Sequence, residues 1–128
     1  MDDASLAALD REPYISLETF RRNGTGVKTP VWFAERNARL YVFTEAGSWK
    51  VKRLRNDARI RVAACSVRGR IRGEWIEGTG RRIDEPSVVE GAYEALLHKY
   101  GWQMRITNLF SRLTGRIDKR AILELELT

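Results

Sequence analysis

The segment "AILELELT", Ala121–Thr128, alternates without exception, with Ala121, Leu123, Leu125 and Leu127 on one side and Glu124 and Glu126 on the other. That period of two predicts a half-buried strand with its glutamates outward. Tyr14–Arg22 and Val27–Glu35 read as two further strands joined by "NGTG", Asn23–Gly26, because Asn-Gly supplies the positive φ angles of a tight hairpin. Arg39–Glu45, after a short "RNA" turn, makes a third. Its Leu40, Tyr41, Val42 and Phe43 are apolar on both faces, as in a strand covered on two sides. Pro30 has no N–H for a ladder and marks an edge or a bulge. Arg59–Val67 and Gly73–Ile83, around "RGR", add two more strands, the glycines of the second suggesting a bulge or barrel corner.

Helical spacing appears between these runs. Ala4–Asp10 predicts a short helix, and Ser48 is a ready N-cap for another running to Arg55. Asp84 as cap and Pro86 just inside open a third, with Val89, Tyr93, Leu96 and Tyr100 on one face. Gly101 interrupts, and Trp102, Ile106, Leu109 and Leu113 form the stripe of a following helix. The order is six strands, a helix after the third, a helical pair after the fifth and a return strand. It predicts an α+β fold with an antiparallel sheet curled into a barrel. With 128 residues and no linker-like tract, one domain over 1–128 is expected.

Composition narrows the setting. Cys65 is alone, which excludes an internal disulfide, and zinc-type Cys/His spacings are absent, so a reduced, cytoplasmic environment is expected. The acidic "MDDASLAALDREP" lacks an apolar core of signal-peptide length, and no run approaches the roughly 20 apolar residues of a membrane span. Net charge is +6, yet Lys50–Arg82 alone carries eleven Lys/Arg against three acids, leaving the remainder at −2. Such segregation points to an anionic partner at a defined site.

Most catalytic constellations are missing. His98 reads as an ordinary helix residue, and Cys65, mid-strand and without a His partner, as a buried apolar one. Glu74 and Glu77 tend to opposite faces of their strand. "GTG", Gly78–Gly80, is too short for a phosphate loop. "TEAGSWK", Thr44–Lys50, is different: Ser48 and the free N–H groups of the helix it caps can cradle a phosphate, with Lys50 in the first turn adding charge. A cation at that end of a helix is mildly unfavourable unless an anion docks there. Lys52 and Arg55 read as a solvated face. Upstream, Pro30 frees backbone that, with Val31 and Trp32, can border a flat heterocycle; a plain sheet edge with Trp32 in the core fits the local pattern equally well.

Together "KTPVWFAERNARLYVFTEAGSWKVKRLRND" resembles the flavin-binding split β-barrel family related to pyridoxamine 5′-phosphate oxidase, and within it the actinobacterial branch that uses the deazaflavin coenzyme F-420. Relatives hold the FMN phosphate with a Thr-x-x-x-Ser-Arg-Lys stretch; here Thr44, Ser48 and Lys50 are kept and Trp49 replaces the arginine, which tilts the reading from FMN to the deazaflavin. The resemblance implies a hydride-transferring oxidoreductase with Thr44, Ser48 and Lys50 on the phosphate and Thr29, Pro30, Val31 and Trp32 along the ring. It further implies a homodimer with cofactor sites at the subunit interface, walled by Trp75 or the helical pair. The acidic tail of coenzyme F-420 gives Arg53, Arg68, Arg70 and Arg72 a charge to attract. An FMN-dependent oxidoreductase and a non-catalytic cofactor carrier are the alternatives. A nucleic-acid-binding barrel, suggested by Trp49 and Trp75 among the basic residues, lacks any supporting motif.

Overall fold

The computed structural model describes residues 1–101 and 120–128. In order these form α1 (Asp3–Asp10), β1 (Ile15–Phe20), β2 (Gly26–Val31), β3 (Phe33–Arg36), β4 (Arg39–Glu45), α2 (Trp49–Asn56), β5 (Arg59–Ala64), β6 (Ile76–Ile83), α3 (Pro86–Tyr100) and β7 (Arg120–Leu127). The strands make one antiparallel sheet, ordered β2-β1-β5-β6-β7-β4-β3. The α+β, curled-sheet expectation holds, with seven strands among the described residues instead of six.

The extra strand comes from a break at Trp32. Val27–Glu35 is two strands: β2 pairs with β1, and β3 pairs with β4. These lie at opposite ends of the sheet yet are separated by one residue, so the sheet curls until its ends meet there. Val31 and Phe33, on either side, both enter the same core. Pro30 sits opposite Ser16 on the end strand, the edge position its missing N–H requires.

Side chains from the inner face (Ile15, Leu17, Phe33, Leu40, Val42, Ile60, Val62, Leu123 and Leu125) form the main core, joined by Leu6 and Leu9 of α1 and Val51 and Leu54 of α2. On the outer face α3 packs Ala92 and Leu96 against Ala34, Tyr41, Ile83 and Ile122, flanked by Val89, Tyr93 and Tyr100. Two-sided cover explains the continuous apolar run of β4. The "RNA" turn is a two-residue hairpin with Asn37 and Ala38 at φ 53° and 66°.

Several expectations need correction. Glu124 is buried, not solvated, because its cross-strand neighbours Tyr41 and Arg81 close over it. The Tyr41 hydroxyl donates to Oε2 at 2.9 Å, and Arg81 donates from Nε and Nη2 to Oε1 at 3.2 and 3.0 Å, so the carboxylate is satisfied. Burial, then this carboxylate, pushes the Tyr41 phenol pKa up. The glycines of β6 mark close approach, not a bulge: its registers with β5 and β7 run without an inserted residue. A Cβ on Gly78 would run into the Glu126 carbonyl oxygen, and one on Gly80 would lie 2.9 Å from Leu125 and 3.5 Å from Leu54 of α2.

Asp84 is not the α3 cap; its carboxylate pairs with Arg82 at 3.3 Å, and Glu85 occupies the cap position without a side-chain bond. Strands predicted over Tyr14–Arg22, Arg59–Val67 and Gly73–Ile83 are shorter, since Arg21–Thr25 and the loop bridged by Cys65 and Ile71 leave the ladder to turn. The predicted helix carrying Trp102, Ile106, Leu109 and Leu113 lies outside the described residues. Among the described residues no helix is long and apolar enough to cross a membrane.

Candidate functional site

The N-terminus of α2 forms as its sequence requires. Ser48 is the N-cap, its Oγ accepting from the Val51 N–H at 3.5 Å and lying 3.4 Å from the Thr44 hydroxyl that donates to it. Val51 and Leu54 anchor the helix in the core, while Gly80 leaves room for Leu54. This fixes Lys50 and Arg53 on a neighbouring face.

Two cavities meet at this point. The larger, about 1000 Å³, lies between α2 and the β1–β2 hairpin and is lined by Phe20, Arg21, Arg22, Val27, Thr29, Ser48, Trp49, Lys50, Lys52, Arg53, Arg55 and Asn56. The smaller, about 400 Å³, is lined by Tyr14, Pro30, Val31, Trp32, Phe43, Thr44 and Lys50. Lys50 belongs to both. All nine residues predicted for the site therefore border one or the other: Thr29, Ser48, Trp49, Lys50 and Arg53 the basic lobe, and Pro30, Val31, Trp32, Thr44 and again Lys50 the aromatic lobe.

The basic lobe is lined by six cations, and none of its described lining residues is acidic. Burial, and then the Arg53 charge, press the Lys50 pKa below that of an ordinary lysine, with Glu45 acting the other way. Arg53 is lowered in turn by burial and by Arg21. Lys50, Arg53 and Arg21 thus form a row of mutually repelling charges, and an anion entering the lobe relieves the repulsion. Arg53 cannot swing away easily, because its Nε donates to the buried Thr19 hydroxyl at 2.6 Å. Thr29 Oγ1 is a buried polar atom without a hydrogen-bond partner. Such an atom costs about 1–3 kcal/mol unless a bound group satisfies it.

The hairpin arginines escaped sequence reasoning. Arg21 and Arg22 adjoin a turn, and only the tertiary lean of the hairpin over α2 brings them to the cavity; Arg22 Nη2 reaches Asn56 Oδ1 at 3.5 Å. Phe20 and Val27 were hidden for the same reason, while Tyr14 and Phe43 reach the smaller cavity from segments outside the Thr29–Trp32 stretch. Lys52 and Arg55 are exposed as expected, yet they line the lobe because that hairpin faces them. Arg68, Arg70 and Arg72 are exposed on the β5–β6 loop and line neither cavity. Trp49 stands at the rim, 69% exposed, with Lys52 Nζ 4.4 Å from its ring centroid. Trp75 lies between Lys28 and Arg61, their charged groups 5.0 and 4.9 Å from its ring. His98 is exposed, and Cys65 is fully buried, its thiol pKa raised by that burial. Among the described residues no cluster of His, Cys, Asp or Glu could hold a metal.

The Lys50 shift carries a pH prediction. Its ammonium deprotonates at lower pH than an ordinary lysine, so affinity for a phosphate-bearing ligand should fall as pH rises through that lowered pKa. Dissociation constants measured from pH 7 to about 10.5 test this. Lys50→Arg, which stays charged throughout, should flatten the profile; an equal fall in wild type and variant removes Lys50 as the cause.

A curled antiparallel sheet whose two ends meet at a one-residue break is the architecture of a split-barrel protein. The chain belongs to the pyridoxamine 5′-phosphate oxidase family, whose model matches residues 1–128. No curated protein matches the chain. Among solved structures, a conserved hypothetical protein from Mycobacterium tuberculosis is similar at TM-score 0.71 and 20% identity, covering 97% of this chain and 79% of its own. The heme storage protein HutZ from Vibrio cholerae matches at TM-score 0.73 and 6% identity, over 98% of this chain and 89% of its own. An FAD-binding protein from Mesorhizobium loti matches at 0.65 and 14%, over 99% and 88%. At these identities the structures share the fold.

Proposed function

We propose that the chain is an oxidoreductase that holds coenzyme F-420 in the two lobes, its phosphate on Lys50, Ser48 and Thr44 and its ring along Thr29–Trp32. The observation that carries this reading is the position of Lys50, half-buried and lining both the basic cavity and the aromatic one. That arrangement suits a ligand with a flat ring at one end and an anionic chain at the other. Thr29 Oγ1 gains a partner when a polar group of such a ligand enters. The acidic tail falls to Arg53 with Arg21, Arg22, Lys52 and Arg55, in place of the loop arginines expected from sequence.

The bound coenzyme supplies a hydride for an unsaturated or conjugated acceptor. The chain's own residues position and shield: Trp32, Phe43, Tyr14 and Pro30 wall the ring lobe, and Lys50 with Arg53 neutralises the anionic chain. A homodimer with its sites at the interface belongs to the same reading, because the exposed Trp49 at the rim gains cover from a second copy.

FMN is the alternative ligand, favoured by the family match, and the FAD-binding neighbour widens that choice to dinucleotide flavins. A carrier without turnover is the other reading, since one neighbour is named a heme storage protein. Parallel titrations with coenzyme F-420 and FMN separate the ligands, with the deazaflavin expected to bind more tightly. FMN binding without deazaflavin binding overturns the proposal. Tight binding with no steady-state oxidation of the reduced coenzyme by any conjugated acceptor establishes the carrier instead.

A further inference from the structure

The break at Trp32 is held from outside by Tyr100, the last residue of α3. Phe33 opens β3, an end strand of the sheet, and its N–H and C=O point away from β4. The Tyr100 hydroxyl accepts from the Phe33 N–H at 2.9 Å and shares its own proton between the Phe33 carbonyl at 3.0 Å and the Pro13 carbonyl at 2.9 Å. One phenol thus takes the place of a missing strand partner. Its ring lies against the Trp32 indole, with centroids 4.6 Å apart and planes 12° from parallel. The other contacts at this end of α3 lock it further: Lys99 Nζ lies 3.3 Å from Asp10 Oδ1 of α1 and 3.5 Å from the centroid of the Phe33 ring.

We propose that Tyr100 is a positioning residue for the aromatic lobe, acting through Trp32. Trp32 lies outside the β-ladder, so no strand pairing fixes its indole. The stacked phenol does, and the hydroxyl fixes the phenol to the Phe33 backbone just after the break and to the Pro13 carbonyl ahead of β1. The plane presented to a ligand ring is therefore set by a residue that does not line the cavity. Burial keeps the phenol protonated well above neutral pH, so the arrangement persists over the working range. The inference rests on the smaller cavity being a ring site.

The test compares ring-bearing ligands with a ring-free anion. Coenzyme F-420, FMN and inorganic pyrophosphate are titrated into wild type, Tyr100→Leu and Tyr100→Phe, all well below their melting midpoints. Tyr100→Leu should weaken whichever cofactor the wild type binds by about five- to tenfold, the scale of one lost aromatic stack, and leave pyrophosphate unchanged. Tyr100→Phe keeps the stack and should retain cofactor affinity within about threefold while melting earlier. If Tyr100→Leu does not fold, Tyr100→Met, of similar bulk and no ring, takes its place. Unchanged cofactor affinity, or an equal loss for pyrophosphate, overturns the inference while the cofactor reading stands. A wild type that binds neither cofactor overturns both.

Discussion

Replacing Lys50 with alanine is expected to lower affinity for the phosphate-bearing cofactor by about 10- to 100-fold, the usual worth of one charge-assisted hydrogen bond in a partly desolvated site. Lys50 is the residue common to both lobes, so its loss removes charge where ring and anionic chain join. The effect has an upper bound. Arg53, tethered to Thr19, still lines the basic lobe and keeps part of the attraction for an anion. Lys50→Arg should keep most of the affinity, and Lys52→Ala, whose ammonium already rests on Trp49, should cost much less. Isothermal titration at two salt concentrations checks all three. Undiminished binding by Lys50→Ala removes the phosphate grip from the proposal.

The second large effect concerns stability. Gly78→Ala is expected to destabilise the protein by about 2–3 kcal/mol, in the range of overpacked sites. In β6 this position pairs with Leu127, and an added Cβ meets the Glu126 carbonyl and lies 3.1 Å from the Leu127 Cα, backbone atoms that cannot rotate aside. Strand preference alone works the other way, since alanine is favoured over glycine by roughly 0.5–1 kcal/mol; a net loss therefore reports the close approach of β7. Gly47→Ala is the control, with nothing within 4 Å of the new methyl, and should change the melting midpoint little. Thermal melts compare the two. A Gly78→Ala midpoint matching that of the control shows that β7 yields at that point.

How far the sequence led depended on how local each determinant is. The α2 cap was legible because Ser48 and its helix lie within a few residues, and the alternation of β7 needed only its own side chains. Glu124 was misjudged because its burial depends on Tyr41 and Arg81, both distant in sequence. The break at Trp32 was hidden because both flanking runs have strand character; only their opposite partners, β1 and β4, separate them. At the site the near-contiguous motif Thr44–Lys50 and the segment Thr29–Trp32 could be read, and the structure places them around adjoining cavities. Arg21 and Arg22 could not, since nothing beside a hairpin turn states which surface the hairpin leans over.

The position of β7 has a consequence for the order in which the molecule can be built. Arg120–Leu127 is the last of the described elements but lies between β6 and β4, contributing Leu123 and Leu125 to the centre of the core. A ribosome delivers it after all the other described strands. Until then β2-β1-β5-β6 and β4-β3 are two sheet fragments, each with an unpaired inner edge. The smaller of them, β4-β3, is a two-stranded hairpin of the kind that is marginal by itself. Assembly therefore waits for translation to reach Leu127, and the nascent chain meets the cell with two open β-edges that a holding chaperone, or another nascent copy, can reach first.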